Sequence, residues 1–129
     1  MEATVIDAEL KALASGPNFA ALSTLDADGW PQTTIVWVDC DDEHLLVNTE
    51  VARRKARNAE RDPRVAVTIW DHESPYQAAF VQGRVVDRVT GDRARAHIDE
   101  LSMRYTGHPY DPSAIKSERV ILVIEPGKA

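Results

Sequence analysis

A single cysteine, Cys40, excludes an internal disulfide, and its acidic neighbours Asp39, Asp41 and Asp42 disfavour a reactive thiolate. Aromatic residues are scarce at 6%, and none interleave with the arginines to form the stacking track that single-stranded nucleic acid requires. With a net charge of -6 as well, no nucleic-acid partner is expected. No apolar stretch approaches the roughly 20 residues of a membrane-spanning helix. The first residues, Met1-Glu2-Ala3-Thr4, carry an acid rather than a basic signal region, so a cytoplasmic location without a membrane partner is expected. His44, His72, His97 and His108 lack the close pairings of metal motifs, and the acidic segment 39–43 lacks the glycine and glutamate of a calcium loop. No bound metal is expected. A nucleophile elbow, a glycine-rich dinucleotide fingerprint, a phosphate-binding P-loop and a paired-carboxylate motif are also missing, so difficult chemistry would need a cofactor.

The chain, at 43% hydrophobic and 28% charged, has the composition of a globular protein. Its 129 residues are expected to form one domain, too short for separate cofactor and substrate units. Asp7 can cap a short helix ending at Gly16-Pro17. Strands are read at 19–25 and 32–38, joined by the turn Asp26-Ala27-Asp28-Gly29, and a third at 44–48. A fourth follows at 64–70 and a fifth at 77–86, with Gly83 marking a bulge or a close approach. The longest helix is expected over 91–105 with the stripe Ala94, Ile98, Leu101 and Tyr105, and a sixth strand at 119–125. Six strands with short connections favour a closed antiparallel barrel.

Against this acidic background one segment reverses sign. Residues 51–64 hold six basic residues, Arg53, Arg54, Lys55, Arg57, Arg61 and Arg64, against Glu60 and Asp62. Thr49 reads as the N-cap of a short helix, Ala52, Ala56 and Ala59 as its packing face, and Asp62-Pro63 as its end. A solvated basic face is the ordinary reading of such a run. Here the helix is too short to need so many charges, and its acids are too few for a network of i, i+4 pairs. An anionic ligand at the helix start, with polar donors from Asn48 and Thr49, accounts for both. Thr33 and Thr34 could face a polar heterocycle, while Trp37, Trp70 and Tyr76 could wall a flat ring or simply fill the core.

The segments Ala20-Ala21-Leu22-Ser23-Thr24-Leu25, Asp28-Gly29-Trp30-Pro31-Gln32-Thr33-Thr34, Val47-Asn48-Thr49 and Arg53-Arg54-Lys55-Ala56-Arg57-Asn58 are similar to those of pyridoxamine-phosphate-oxidase-like split-barrel flavoproteins. So are Arg61-Asp62-Pro63-Arg64-Val65, Gln82-Gly83-Arg84-Val85 and Glu118-Arg119-Val120. The basic segment most resembles the B group of deazaflavin-dependent reductases, which use coenzyme F420. That resemblance implies a mainly β protein with short helices, folded as a six-stranded antiparallel split β-barrel of the FMN-binding type. It further implies a homodimer with cofactor sites at the subunit interface, and hydride transfer from the reduced cofactor to a small electron-poor acceptor.

On matched positions, Arg53, Lys55 and Arg57 would hold the cofactor phosphate or its acidic tail, with Thr49 and Asn58 in support. Gln32, Thr33 and Thr34 would lie along the ring system, and Tyr76 near the deazaflavin. Asn48 and Arg54 complete the candidate cofactor-binding set, and no catalytic residue is assigned. An FMN-dependent oxidase or flavin reductase, or a non-catalytic cofactor-binding protein, are the alternatives. Two departures stand out. Trp30 occupies a place where several relatives carry a basic residue, and the sequence ends at Glu125-Pro126-Gly127-Lys128-Ala129 without the C-terminal segment of true pyridoxamine phosphate oxidases. Vitamin interconversion is therefore not expected.

Overall fold

The computed structural model describes residues 6–127, so the expectations placed on the first four residues and the last two lie outside the described residues. Helix α1, Ala8–Ser15, is capped by Asp7, whose carboxylate accepts from the Leu10 amide at 2.8 Å, and it buries Leu10, Leu13 and Ala14. Strands β1, Phe19–Leu25, and β2, Pro31–Trp37, form the expected hairpin in register from Phe19 opposite Trp37 to Leu25 opposite Pro31. Strand β3 is the pair Asp39–Cys40, and β4 is Leu45–Glu50. Helix α2, Arg54–Arg61, leads into β5, Arg64–Trp70, and the long β6, Ala78–Val89. Helix α3, Gly91–Thr106, ends at Gly107 in the left-handed conformation, with φ of 81°. A 3-10 turn, Pro112–Ala114, precedes β7, Arg119–Pro126. No helix among the described residues is long and apolar enough to cross a membrane.

All seven strands join one antiparallel sheet in the order β2-β1-β5-β6-β7-β4-β3. The seventh strand comes from the segment expected to be only a turn, where Asp39 and Cys40 pair with Leu46 and Leu45. The two ends of the sheet, β2 and β3, are consecutive in the chain and separated only by Val38. Because one fully buried residue joins the first and last strands of the ladder, the sheet must curl back on itself. Its hydrogen bonding nevertheless does not close, and β2 and β4 face each other across a split. Val38, between strands, has its amide satisfied by the Tyr105 hydroxyl at 3.1 Å, which in turn donates to the Asn18 carbonyl. The concave side holds the core, including Leu22, Leu45, Val47, Val67, Ile69, Leu122 and Ile124. Burying this set supplies the main driving force.

Two local expectations are corrected and a third is resolved. Thr49 is no N-cap: β4 runs on through Glu50 because β7 offers partners, with Thr49 opposite Val120 and Glu50 opposite Arg119. The helix starts four residues later than a Thr49 cap would set it, at Arg54, behind an Arg53 N-cap that makes no side-chain cap bond. Ala52 consequently precedes the helix and is exposed, while Ala56 and Ala59 are buried in the expected way. Gly83 is a close-approach point, since a Cβ there would stand 2.4 Å from the Glu125 carbonyl oxygen. The bulge lies between Val85 and Asp87.

Candidate functional site

The split between β2 and β4 opens into a cleft of about 290 Å³. Ile35, Val36 and Trp37 of β2 form one wall with Phe19, and Asn48 and Thr49 of β4 form the other. Arg53 and Lys55 enter from the start of α2, Ile98 from α3, and Tyr110 and Arg119 from the segment leading into β7. Trp37 stacks on Tyr105 at 4.9 Å between ring centroids, which fixes the aromatic side of the cleft.

Charge is concentrated at the other side. Lys55 is only 7% exposed, yet its ammonium makes no hydrogen bond or ion pair among the described residues. Burial, followed by the nearby charges of Arg53 and Arg119, holds its pKa below the ordinary lysine range. Arg119 is 6% exposed and pairs with Glu50 at 3.2 Å, while Arg53 reaches the same carboxylate only at 3.8 Å. Burial acts to raise the Glu50 pKa, but the Ser117 and Lys116 amides, the Ser117 hydroxyl and Arg119 together hold it below the ordinary glutamate range. Two cations therefore share one carboxylate, and Lys55 beside them has none. A mostly enclosed ammonium in such company favours an anion that completes the site.

The remaining basic residues of the run lie outside the cleft, and most of them are paired. Arg54 grips Asp26 of the β1–β2 turn through Nε at 2.9 Å and through Nη2. Asn58 donates to the same carboxylate at 2.9 Å and to the Thr24 hydroxyl at 3.1 Å, so it anchors α2 to β1. Arg61 donates to the Leu25 carbonyl and to Asn58, and Arg64 pairs with Asp62 at 2.8 Å. Arg57 is exposed beside Arg54 and Arg61 in a shallow groove next to Asp26 and Asp28, apart from the cleft. The sign reversal seen in the sequence thus divides into clamps and ligand-facing charge.

On β2, Gln32 accepts from the Thr24 hydroxyl at 3.3 Å, and the Thr33 hydroxyl bonds that of Ser23 at 2.7 Å. Thr34 faces inward, opposite buried Leu22, and its buried hydroxyl has no partner among the described residues. Two residues on, Val36 lines the cleft. Tyr76 is fully exposed in the loop before β6 and is enclosed by none of the other described residues. Asn48, read as a donor to ligand, instead directs its side chain toward α3 and Arg119. Arg119, Glu50 and Tyr110 were not among the sequence candidates. An arginine at the entry to an otherwise apolar strand was the one available signal.

The family model for pyridoxamine 5'-phosphate oxidase matches residues 6–129. Among solved structures, an F420 reductase aligns with a TM-score of 0.80 and 35% identity, covering 92% of this chain and 93% of its own. A conserved hypothetical protein from Mycobacterium tuberculosis aligns at 0.67 with 23% identity, covering 99% of this chain and 86% of that one. A heme storage protein from Vibrio cholerae aligns at 0.64 with 17% identity, covering 98% and 93%. These last two share the fold.

Proposed function

Since the chain belongs to the pyridoxamine 5'-phosphate oxidase family, with an oxidoreductase-like flavin- or deazaflavin-binding split barrel, we propose that it is a reductase that binds coenzyme F420 in the cleft between β2 and β4. The observation that carries this reading is Lys55, buried and unpaired beside Arg53 and Arg119. The donor set fits a phosphate: one compact ammonium and two planar guanidiniums on a framework of strand and helix start.

When bound in its reduced form, the cofactor would supply a hydride to a small electron-poor acceptor. The chain's own residues hold the anionic end through Lys55, Arg53 and Arg119, orient the ligand along Ile35, Val36 and Trp37, and keep water from the apolar wall.

At about 290 Å³ the cleft encloses only part of such a ligand, so the ring system must run out past Phe19 and Ile35. These two residues also belong to the outward face of the sheet, where Ile35, Ala21, Thr68 and Phe80 line up across four strands. Ile35 is 62% and Phe80 78% exposed. A second copy of the chain is the covering that both the apolar face and the half-built site require. Tyr76 would meet a cofactor only in that assembly.

Fluorescence titration of the purified protein with coenzyme F420 and with FMN tests the reading. Preferential binding of coenzyme F420 is expected. Micromolar preference for FMN would favour the flavin-dependent alternative, and tight binding without turnover over a broad acceptor panel would favour a carrier.

A further inference from the structure

Of the three cations in the cleft, Arg119 has the least freedom, and it stands outside the basic run. Its Nε donates to Asn48 Oδ1 at 2.9 Å and its Nη1 to Glu50 Oε2 at 3.2 Å, while the guanidinium lies 5.1 Å from the centre of the Tyr110 ring. Glu50 cannot swing away, because its other oxygen accepts from the amides of Lys116 at 3.0 Å and Ser117 at 2.8 Å and from the Ser117 hydroxyl at 3.1 Å. Asn48 is fixed with equal strictness. Its amide nitrogen donates to the Ala94 carbonyl at 2.9 Å and to His97 Nδ1 at 3.1 Å, so Oδ1 must face Arg119. The flipped amide would set N–H groups against both a guanidinium N–H and leave the Ala94 carbonyl unpaired. His97, fully buried, then carries its proton on Nε2 and donates to Asp39 at 2.9 Å; Arg104 holds that same carboxylate at 3.1 Å. A continuous chain of oriented partners thus runs from Asp39 through His97 and Asn48 to Arg119.

Asn48 and Glu50 engage two of the guanidinium's five N–H groups, which leaves donors for a ligand in a cleft that Arg119 itself lines. A cation held this rigidly loses little freedom when an anion arrives. We propose that Arg119 is a third anchor for the anionic end of the bound ligand, and that Asn48 is a positioning residue acting through Arg119 rather than on the ligand. This rests on the cleft receiving the phosphate end of a flavin or deazaflavin.

The test is fluorescence titration of the full chain with coenzyme F420 and FMN, using riboflavin as a phosphate-free control. Arg119→Gln is expected to weaken the preferred phosphorylated ligand by about tenfold or more and to leave riboflavin affinity within about twofold, the size of one lost charged hydrogen bond. Arg119→Lys should recover part of the loss, since it restores charge without the fork. Asn48→Ser should weaken phosphorylated ligand in the native background and add nothing to Arg119→Gln. Undiminished binding by Arg119→Gln, or an equal loss for riboflavin, overturns the anchor; additive losses overturn the positioning role of Asn48. If the native chain binds neither phosphorylated ligand, the cofactor reading itself fails and this assignment falls with it.

Discussion

Arg54 and Asp26, 28 residues apart in the chain, meet in a two-point clamp that fixes the start of α2 to the β1–β2 turn. The neighbouring Lys55 points the other way, into the cleft, and has no such partner among the described residues. Adjacent cations of one charge run therefore perform opposite tasks: one builds the site and the other waits on its ligand.

Replacing Lys55 by methionine should separate these tasks. A buried charge without a partner weakens the folded state, so Lys55→Met is expected to raise the melting temperature of the ligand-free protein or leave it unchanged. The same variant should lose about tenfold to a hundredfold in affinity for the phosphorylated cofactor, the range of one charge-assisted bond. A lowered melting temperature in the absence of ligand would mark Lys55 as structural instead.

Affinity should also fall with rising pH. Burial and the charges of Arg53 and Arg119 hold the Lys55 pKa down, so its ammonium is lost at lower pH than for an ordinary lysine. Anion binding is favoured while the proton is present and weakens as pH climbs through that depressed value. In Lys55→Arg the decline should shift to higher pH, which titrations across an alkaline series would show.

Asp39 predicts the acid limit. Its burial acts to raise the pKa, but hydrogen bonds from His97 and the Cys40 amide and the charge of Arg104 prevail and bring it to about 2. A carboxylate lowered from 3.8 contributes stability that is complete above about pH 4 and disappears as pH falls toward 2. With solvent screening the contribution is on the order of 1 kcal/mol. Denaturant melts should show Asp39→Asn less stable at pH 7 and with a flatter dependence on acid; an unchanged slope would contradict the assignment.

Gly83→Ala should destabilise the fold by about 1–3 kcal/mol, because the added methyl meets backbone rather than a side chain able to move aside. Thermal melts read this directly. A neutral result would mean that β6 and β7 separate more easily than their register implies.

In sedimentation velocity, native protein is expected to run as the proposed dimer, and Phe80→Asp should shift it toward monomer while leaving its far-ultraviolet circular dichroism intact. The residue is 78% exposed on the outward sheet face, so the monomer loses little by the change. Native protein that sediments as a monomer, with cofactor bound, would remove the second copy from the proposed site.

Much of this architecture was legible in the sequence where the signal is local. The limits 19–25 and 64–70 agree with the strands found, because β-branched and small residues there are bounded by turn chemistry. Thr49 misled for the opposite reason. Its capping potential is local, but the competing pairing with Val120 comes from a strand at the far end of the chain, and the strand prevails. The cation run was plain, whereas its division into clamps and ligand-facing groups depends on Asp26, which no helical spacing predicts. Arg119 was hidden most deeply, since Asn48 and Glu50 lie 71 and 69 residues upstream.

Val38 has a kinetic meaning beyond its place in the core. Because this one buried residue ties β2 to β3, and β3 pairs directly with β4, the two walls of the cleft are tethered at their base. A ligand entering from the split meets two walls already held together, and differences between competing ligands are expected in residence time more than in association rate.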